Sequence, residues 1–118
     1  MTAEIDLQRK SALLRIFLGE RDMHHGRNLF EVIVEHAKSA GLAGATVFTG
    51  FMGYGANSVV HHSGLFRFSE DLPMVIEIVD EEVKVREFLP DLEELLSGGG
   101  LITLERLVIL KYEPHIHK

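Results

Sequence analysis

Apolar residues fall along the chain in four short runs and two longer stretches with helical spacing. Ala12–Leu18 (ALLRIFL) predicts a strand, with Arg15 as its only charged interruption. Gly19 to Arg27 reads as a polar loop. Asn28–Ala40 follows as a helix, because Leu29, Phe30, Ile33, Ala37 and Ala40 recur at three- and four-residue intervals on one face. Asn28 suits its N-cap, and Gly41 the position just past its end. Ala45–Thr49 predicts a second strand, β-branched and aromatic. Ala56 to Ser69 is polar, with the composition of an exposed loop. Pro73 opens a third strand, Met74–Val79, a place where a missing N–H is tolerated. Asp80-Glu81-Glu82 starts a helix with a capping side chain and carboxylates that suit the N-terminal dipole. Val85, Phe88, Leu89, Leu92, Leu95 and Leu96 form its apolar stripe, and Pro90 inside it predicts a kink. Ser97-Gly98-Gly99-Gly100 ends it. Leu101–Tyr112 is the last strand, and Pro114 marks a short tail.

The order is β-α-β-β-α-β, two βαβ halves of similar layout. That is an α+β, ferredoxin-like pattern: a four-stranded antiparallel sheet with both helices on one face. No linker interrupts it, so one domain is expected over residues 1–118, with its core at about 12–112. The uncovered sheet face of a monomer should be polar. Here Ala12–Leu18 and Met74–Val79 each carry one charge, and Leu107–Leu110 is apolar on both faces. Burial of the second face in an oligomer is the simplest explanation.

The stretch Gly41–Gly55 (GLAGATVFTGFMGYG) holds five glycines in fifteen positions. Gly41 and Gly44 lie where a helix stops and a strand begins. Gly50, Gly53 and Gly55 have two readings: they let the strand bend, or they let a ligand approach the backbone closely. Gly98–Gly100 poses the same choice between a helix end and an anion cradle. Tyr54 could stack on a base or pack across the glycines beside it.

Composition narrows the function. The 118 residues are 46% hydrophobic and 25% charged, ordinary for a globular protein. A net charge of −6 argues against a general nucleic-acid binder. No apolar run is long enough to span a bilayer, and the polar first ten residues do not read as a secretory signal. The absence of cysteine removes disulfides and thiolate chemistry and fits a cytoplasmic location. No placed serine motif exists, so the chain is not expected to be an enzyme. Six of the seven histidines form the clusters His24-His25, His61-His62 and His115-x-His117. They are either solvated loop residues or metal ligands gathered by symmetry. Arg15 and Arg106 lie within strands and need carboxylate partners, Glu77 and Glu105 being candidates, or an anion at a subunit edge.

Gly44-Ala45-Thr46-Val47, then Gly53-Tyr54-Gly55, a polar loop, and Leu72-Pro73 before an apolar strand resembles the PII-like superfamily of trimeric signalling proteins. Within it the pattern is most similar to a family of small PII-like proteins of unknown function. The likeness runs over about residues 12–112. It implies a homotrimer whose three sheets face one another, with a mobile loop near Ala56–Arg67. It also implies an adenine nucleotide (AMP, ADP or ATP) as effector in the clefts between subunits. By position the lining would be Thr46, Gly53, Tyr54 and Gly55, with Gly98, Gly99 and Gly100 from the turn before the last strand. That turn has no lysine here, which favours a nucleotide with fewer phosphates. The loop would contact a partner protein, a membrane transporter or an enzyme, with no membrane insertion and no required cofactor. The alternative on the same fold is a trimeric protein that binds divalent metal through its histidines.

Overall fold

The computed structural model describes residues 9–55, 61–62, 71–97 and 99–114, with residues 61–62 described in their backbone alone. Strand β1 (Ser11–Gly19) is followed by a small hairpin, β2 (Met23–His24) and β3 (Arg27–Asn28). Helix α1 (Leu29–Ser39) leads to β4 (Thr46–Thr49), and a second small hairpin joins β5 (Met52–Gly53) to β6 (His61–His62). Strand β7 (Pro73–Glu81), helix α2 (Glu82–Leu96) and strand β8 (Leu101–Leu107) complete the order. The four long strands form one antiparallel sheet in the order β4-β7-β1-β8. With both helices it is the expected ferredoxin-like arrangement. The two small hairpins were not expected.

Register explains which residues form the core. Leu14 pairs with Ile78 and Leu104, and Ile16 with Ile76 and Ile102, so these share the helix-covered face. Leu29, Val32, Ile33 and Ala37 of α1 and Val85, Phe88, Leu92 and Leu95 of α2 close over them. The α1 stripe differs from expectation at two places: Val32 is buried, and Ala40 is exposed as the C-cap residue. Gly41 ends α1 at φ +84°. The Leu42 N–H donates to the Ala37 carbonyl and the Gly41 N–H to Lys38, which is a Schellman closure with Leu42 buried.

Two expected boundaries move, and a third stays in place without its expected bond. Asn28 stands at the N-cap of α1 without a side-chain capping bond. Helix α2 has Glu81, not Asp80, at its N-cap, because β7 runs through Glu81 and passes directly into the helix. The last strand stops at Leu107 instead of Tyr112. Leu107 pairs with Ser11, the first residue of β1, and beyond it no sheet neighbour exists among the described residues. Residues 108–114 continue without regular structure. Ser97 adopts the left-handed region at the end of α2, with φ 53° and ψ 42°.

On the other sheet face lie Leu13, Arg15, Phe17, Val75, Glu77, Val79, Leu101 and Glu105. Arg15 sits between two carboxylates, donating from Nε to Glu77 at 2.8 Å and from a terminal nitrogen to Glu105 at 2.7 Å. These contacts raise its already high pKa further, through the Glu77 hydrogen bond first. Around this polar group the face is apolar and open: Phe48 is 50% and Leu101 56% exposed.

Candidate functional site

Strand β4 is four residues long, while its neighbour β7 has nine. Their ladder begins at Thr46 opposite Glu77, so among the described residues no strand pairs with that side of β7 from Ile78 to Glu81. The Schellman end of α1 and the turn through Ala43 and Gly44 hold the chain away from that edge. The result is a cavity of about 790 Å³. Its walls come from the α1–β4 turn (Gly41, Ala43, Gly44, Ala45), from Thr46, and from Glu77, Val79, Asp80 and Glu81 of β7. Lys84 of α2 adds a further wall. Arg9, Ser11 and the segment Ile109–Tyr112 close the end where the sheet stops.

The polar groups around it are mostly engaged. Glu77 accepts the Arg15 bond already described through one oxygen. The Asp80 carboxylate, on a residue only 8% exposed, accepts from the Ala43 N–H at 2.9 Å and from the Glu81 N–H at 2.7 Å. Arg9 lies 3.2 Å from Glu81. Lys111 lies 4.0 Å from Glu113. Acids and bases thus line the cavity in equal measure: Glu77, Asp80 and Glu81 against Arg9, Lys84 and Lys111. Apolar contact is offered by Val79, Ala45, Ile109 and Leu110. A concave site of this size with a few placed polar groups suits a small molecule.

Of the described residues that the resemblance implied as ligand-lining, Thr46 alone lines this cavity. Gly53, Tyr54 and Gly55 follow β4 toward the opposite end of the strand. Gly50 donates its N–H to the Pro73 carbonyl at 2.6 Å, and Gly53 packs on the Pro73 ring, so this group sits at the start of β7. Tyr54 is 75% exposed. Gly99 and Gly100 stand on the far side of the sheet, before β8, with Gly100 at φ +82° near Leu96 and the Phe17 carbonyl. Gly98 lies outside the described residues. Two strands, β7 and β1, separate the two glycine groups, a span of about 14 Å at normal strand spacing. One copy of the chain therefore does not bring them together.

The histidines whose side chains are described stay dispersed. His24 and His25 sit at the tip of the β2–β3 hairpin with ring centroids 4.3 Å apart. His36 joins the two helices through Nδ1 to Asp91 at 2.8 Å. Among the described residues no group of three or more His, Asp or Glu side chains converges as a metal site. His115 and His117, most of the Ala56–Arg67 loop, and the first eight residues lie outside the described residues. Nor is any described helix long and apolar enough to cross a membrane.

A family model described as Uncharacterized ACR (DUF190) matches residues 11–109. A UPF0166 protein of Aquifex aeolicus (strain VF5) is 40% identical over 101 residues, covering 86% of this chain and 94% of that one. Among solved structures, CPII of Thiomonas intermedia K12 bound to ADP and bicarbonate superposes with a TM-score of 0.64 at 18% identity, over 86% of this chain and 89% of that one. The same nitrogen regulatory PII-like protein bound to ADP, AMP and bicarbonate gives 0.61 at 16% identity, over 90% and 97%. At these identities the likeness establishes the PII-like fold.

Proposed function

Because the chain belongs to the DUF190 family and has the PII-like fold, we propose that it is a regulatory protein that binds an adenine nucleotide at the uncovered edge of β7. The observation that carries this reading is the cavity between the α1–β4 turn and Ile78–Glu81. A strand edge without a neighbour presents main-chain N–H and C=O groups side by side. That pairing suits the amino group and ring nitrogen along one edge of adenine. Val79 and Ala45 supply apolar contact for the base, and Thr46 and the second oxygen of Glu77 supply polar ends. The solved CPII structures, whose fold this chain shares, hold ADP or AMP.

The two glycine groups fit the same proposal through assembly. Gly53–Gly55 and Gly99–Gly100 stand on opposite edges of one sheet, so a head-to-tail ring would set one copy's first group against the next copy's second. The apolar open face around Phe17, Phe48, Val75 and Leu101 would be covered in such a ring. We take the assembly to be a homotrimer, with nucleotide binding shifting the state of the loop between β5 and β7 and so its contact with a partner protein. Such a shift requires the nucleotide to bind one loop state better than the other.

Thermal unfolding with AMP, ADP, ATP, adenosine and GMP tests the reading. Adenine nucleotides should raise the midpoint in a concentration-dependent way, by about 2.7 kcal/mol of added stability at a hundredfold excess over Kd, and GMP should not. Equal shifts with GMP, or none with any adenine nucleotide, would refute it. A shift with zinc or copper that disappears in the His115→Ala/His117→Ala variant would replace it with the metal-binding alternative.

A further inference from the structure

Asp80 is a buried carboxylate whose contacts do not serve the sheet. It lies on the helix-covered side of β7, opposite Ala12, two residues before the helix begins. A helix-capping role would explain a carboxylate here, but the N-cap is Glu81, and Asp80 gives α2 no side-chain capping bond. One oxygen turns back to the Glu81 N–H, and the other reaches 37 residues along the chain to the Ala43 N–H. Ala43 sits at the centre of the turn that forms the cavity wall, between the buried Leu42 and the pocket residues Gly44 to Thr46.

We infer that Asp80 is the positioning residue of the ligand site, fixing the α1–β4 turn at the distance from β7 that keeps the cavity open. This rests on the nucleotide-binding reading above. Between the Schellman closure at Leu42 and the β4 ladder at Thr46, the middle of the turn packs loosely among the described residues. Gly44 has no neighbour within 4 Å of where a Cβ would stand, and Ala43 and Gly44 are both exposed. A carboxylate holds two N–H donors because both its oxygens accept; an amide of the same shape has one accepting oxygen and turns an NH₂ group toward the other donor. Asp80→Asn therefore breaks one of the two bonds without changing volume.

The test is isothermal titration of AMP and ADP into wild type, Asp80→Asn and Glu82→Gln, with amide hydrogen exchange followed on wild type. Glu82 also anchors the start of α2 but lines no part of the cavity, so it controls for general loosening. Asp80→Asn should weaken nucleotide binding about three- to tenfold, the range of one hydrogen bond of ordinary net strength lost. Glu82→Gln should lower the unfolding temperature and leave Kd within about twofold. In wild type the Ala43 amide should be protected from exchange before nucleotide is added. Unchanged affinity in Asp80→Asn alongside a lowered melting temperature would reduce Asp80 to a structural residue and overturn the inference. Unprotected exchange at Ala43 would overturn it even if the variant failed to fold. Absence of nucleotide binding by wild type would instead sink the parent reading, and this inference with it.

Discussion

Gly50 is the position where the least change should have the most legible effect. A Cβ built on it would stand 2.6 Å from the Pro73 Cγ and 3.3 Å from the Pro73 carbonyl oxygen. Ordinary carbon contacts lie near 3.5–4.0 Å, so the ring would have to yield by about 1 Å. Proline can change pucker but cannot rotate its ring away, and Pro73 is held in β7 opposite Gly19. The 2.6 Å bond from the Gly50 N–H to the Pro73 carbonyl prevents the two strands from simply separating. Backbone conformation is not the obstacle, since Gly50 lies outside the left-handed region. Forcing one methyl group into such a contact costs about 1–3 kcal/mol. For 118 residues, at roughly 2.1 cal/mol/K per residue, each kcal/mol moves the midpoint by about 4 °C. Gly50→Ala should therefore melt about 4–12 °C below wild type, measured by circular dichroism at one fixed protein concentration. Gly44→Ala is the internal contrast: it meets nothing within 4 Å and has no positive φ. It should be neutral or stabilising by about 0.4–1 kcal/mol, because alanine narrows the unfolded ensemble. Equal melting temperatures for Gly50→Ala and wild type would refute the steric reasoning.

Three other outcomes follow from the same structure. Leu14, fully buried between the sheet and both helices, should cost about 2–5 kcal/mol when cut to alanine, read as a lower urea midpoint. Glu82 carries a side chain 10% exposed and accepts hydrogen bonds from Arg106 and Arg86; its pKa is lowered from 4.5 to about 2, chiefly by Arg106 and then Arg86. A depressed carboxylate contributes stability that is present above about pH 4.5 and is lost as pH falls through about 2. The urea-midpoint gap between wild type and Glu82→Gln should accordingly be widest near neutrality and close across that window; a gap constant with pH would contradict the clamp. Leu101→Asp, placing a charge on the open apolar face, should leave the fold intact by circular dichroism and dissociate the assembly in sedimentation velocity, whereas an unchanged sedimentation coefficient would mean that this face is not an interface.

The fold was legible because its signals are local and periodic. Helical spacing marked α1 and α2, and Gly41 marked its own Schellman turn. The two-faced apolar strands announced an open apolar sheet face, and Arg15 found the carboxylates its position demanded. The overshoot at Tyr112 had a physical cause: apolar residues read as strand whether or not a neighbour exists, and beyond Leu107 none does among the described residues. The site was far less legible. Thr46 was reached through resemblance. Lys84 looked like any solvated helix residue, Arg9 like part of the polar first ten residues, and Lys111 and Tyr112 like the end of the last strand, because only the folded topology brings them around β7. Asp80 carried a signal, a carboxylate before a helix, but that signal pointed to a cap. Its bond to Ala43 joins residues with no sequence relation that a periodic pattern could reveal.

The mismatch in length between β4 and β7 has one more consequence. Bare strand edges recruit further strands, and that is how sheets propagate into aggregates. The bare part of β7 here is only Ile78 to Glu81. It is bounded by Thr46 at one end and by the charged side chains of Glu81, Arg9 and Lys84 at the other. An incoming strand would need to extend past both limits, and would meet the β4 ladder or an ion pair. A small flat molecule needs neither. Shortening one strand thus opens an edge to a metabolite while leaving it closed to polymerisation.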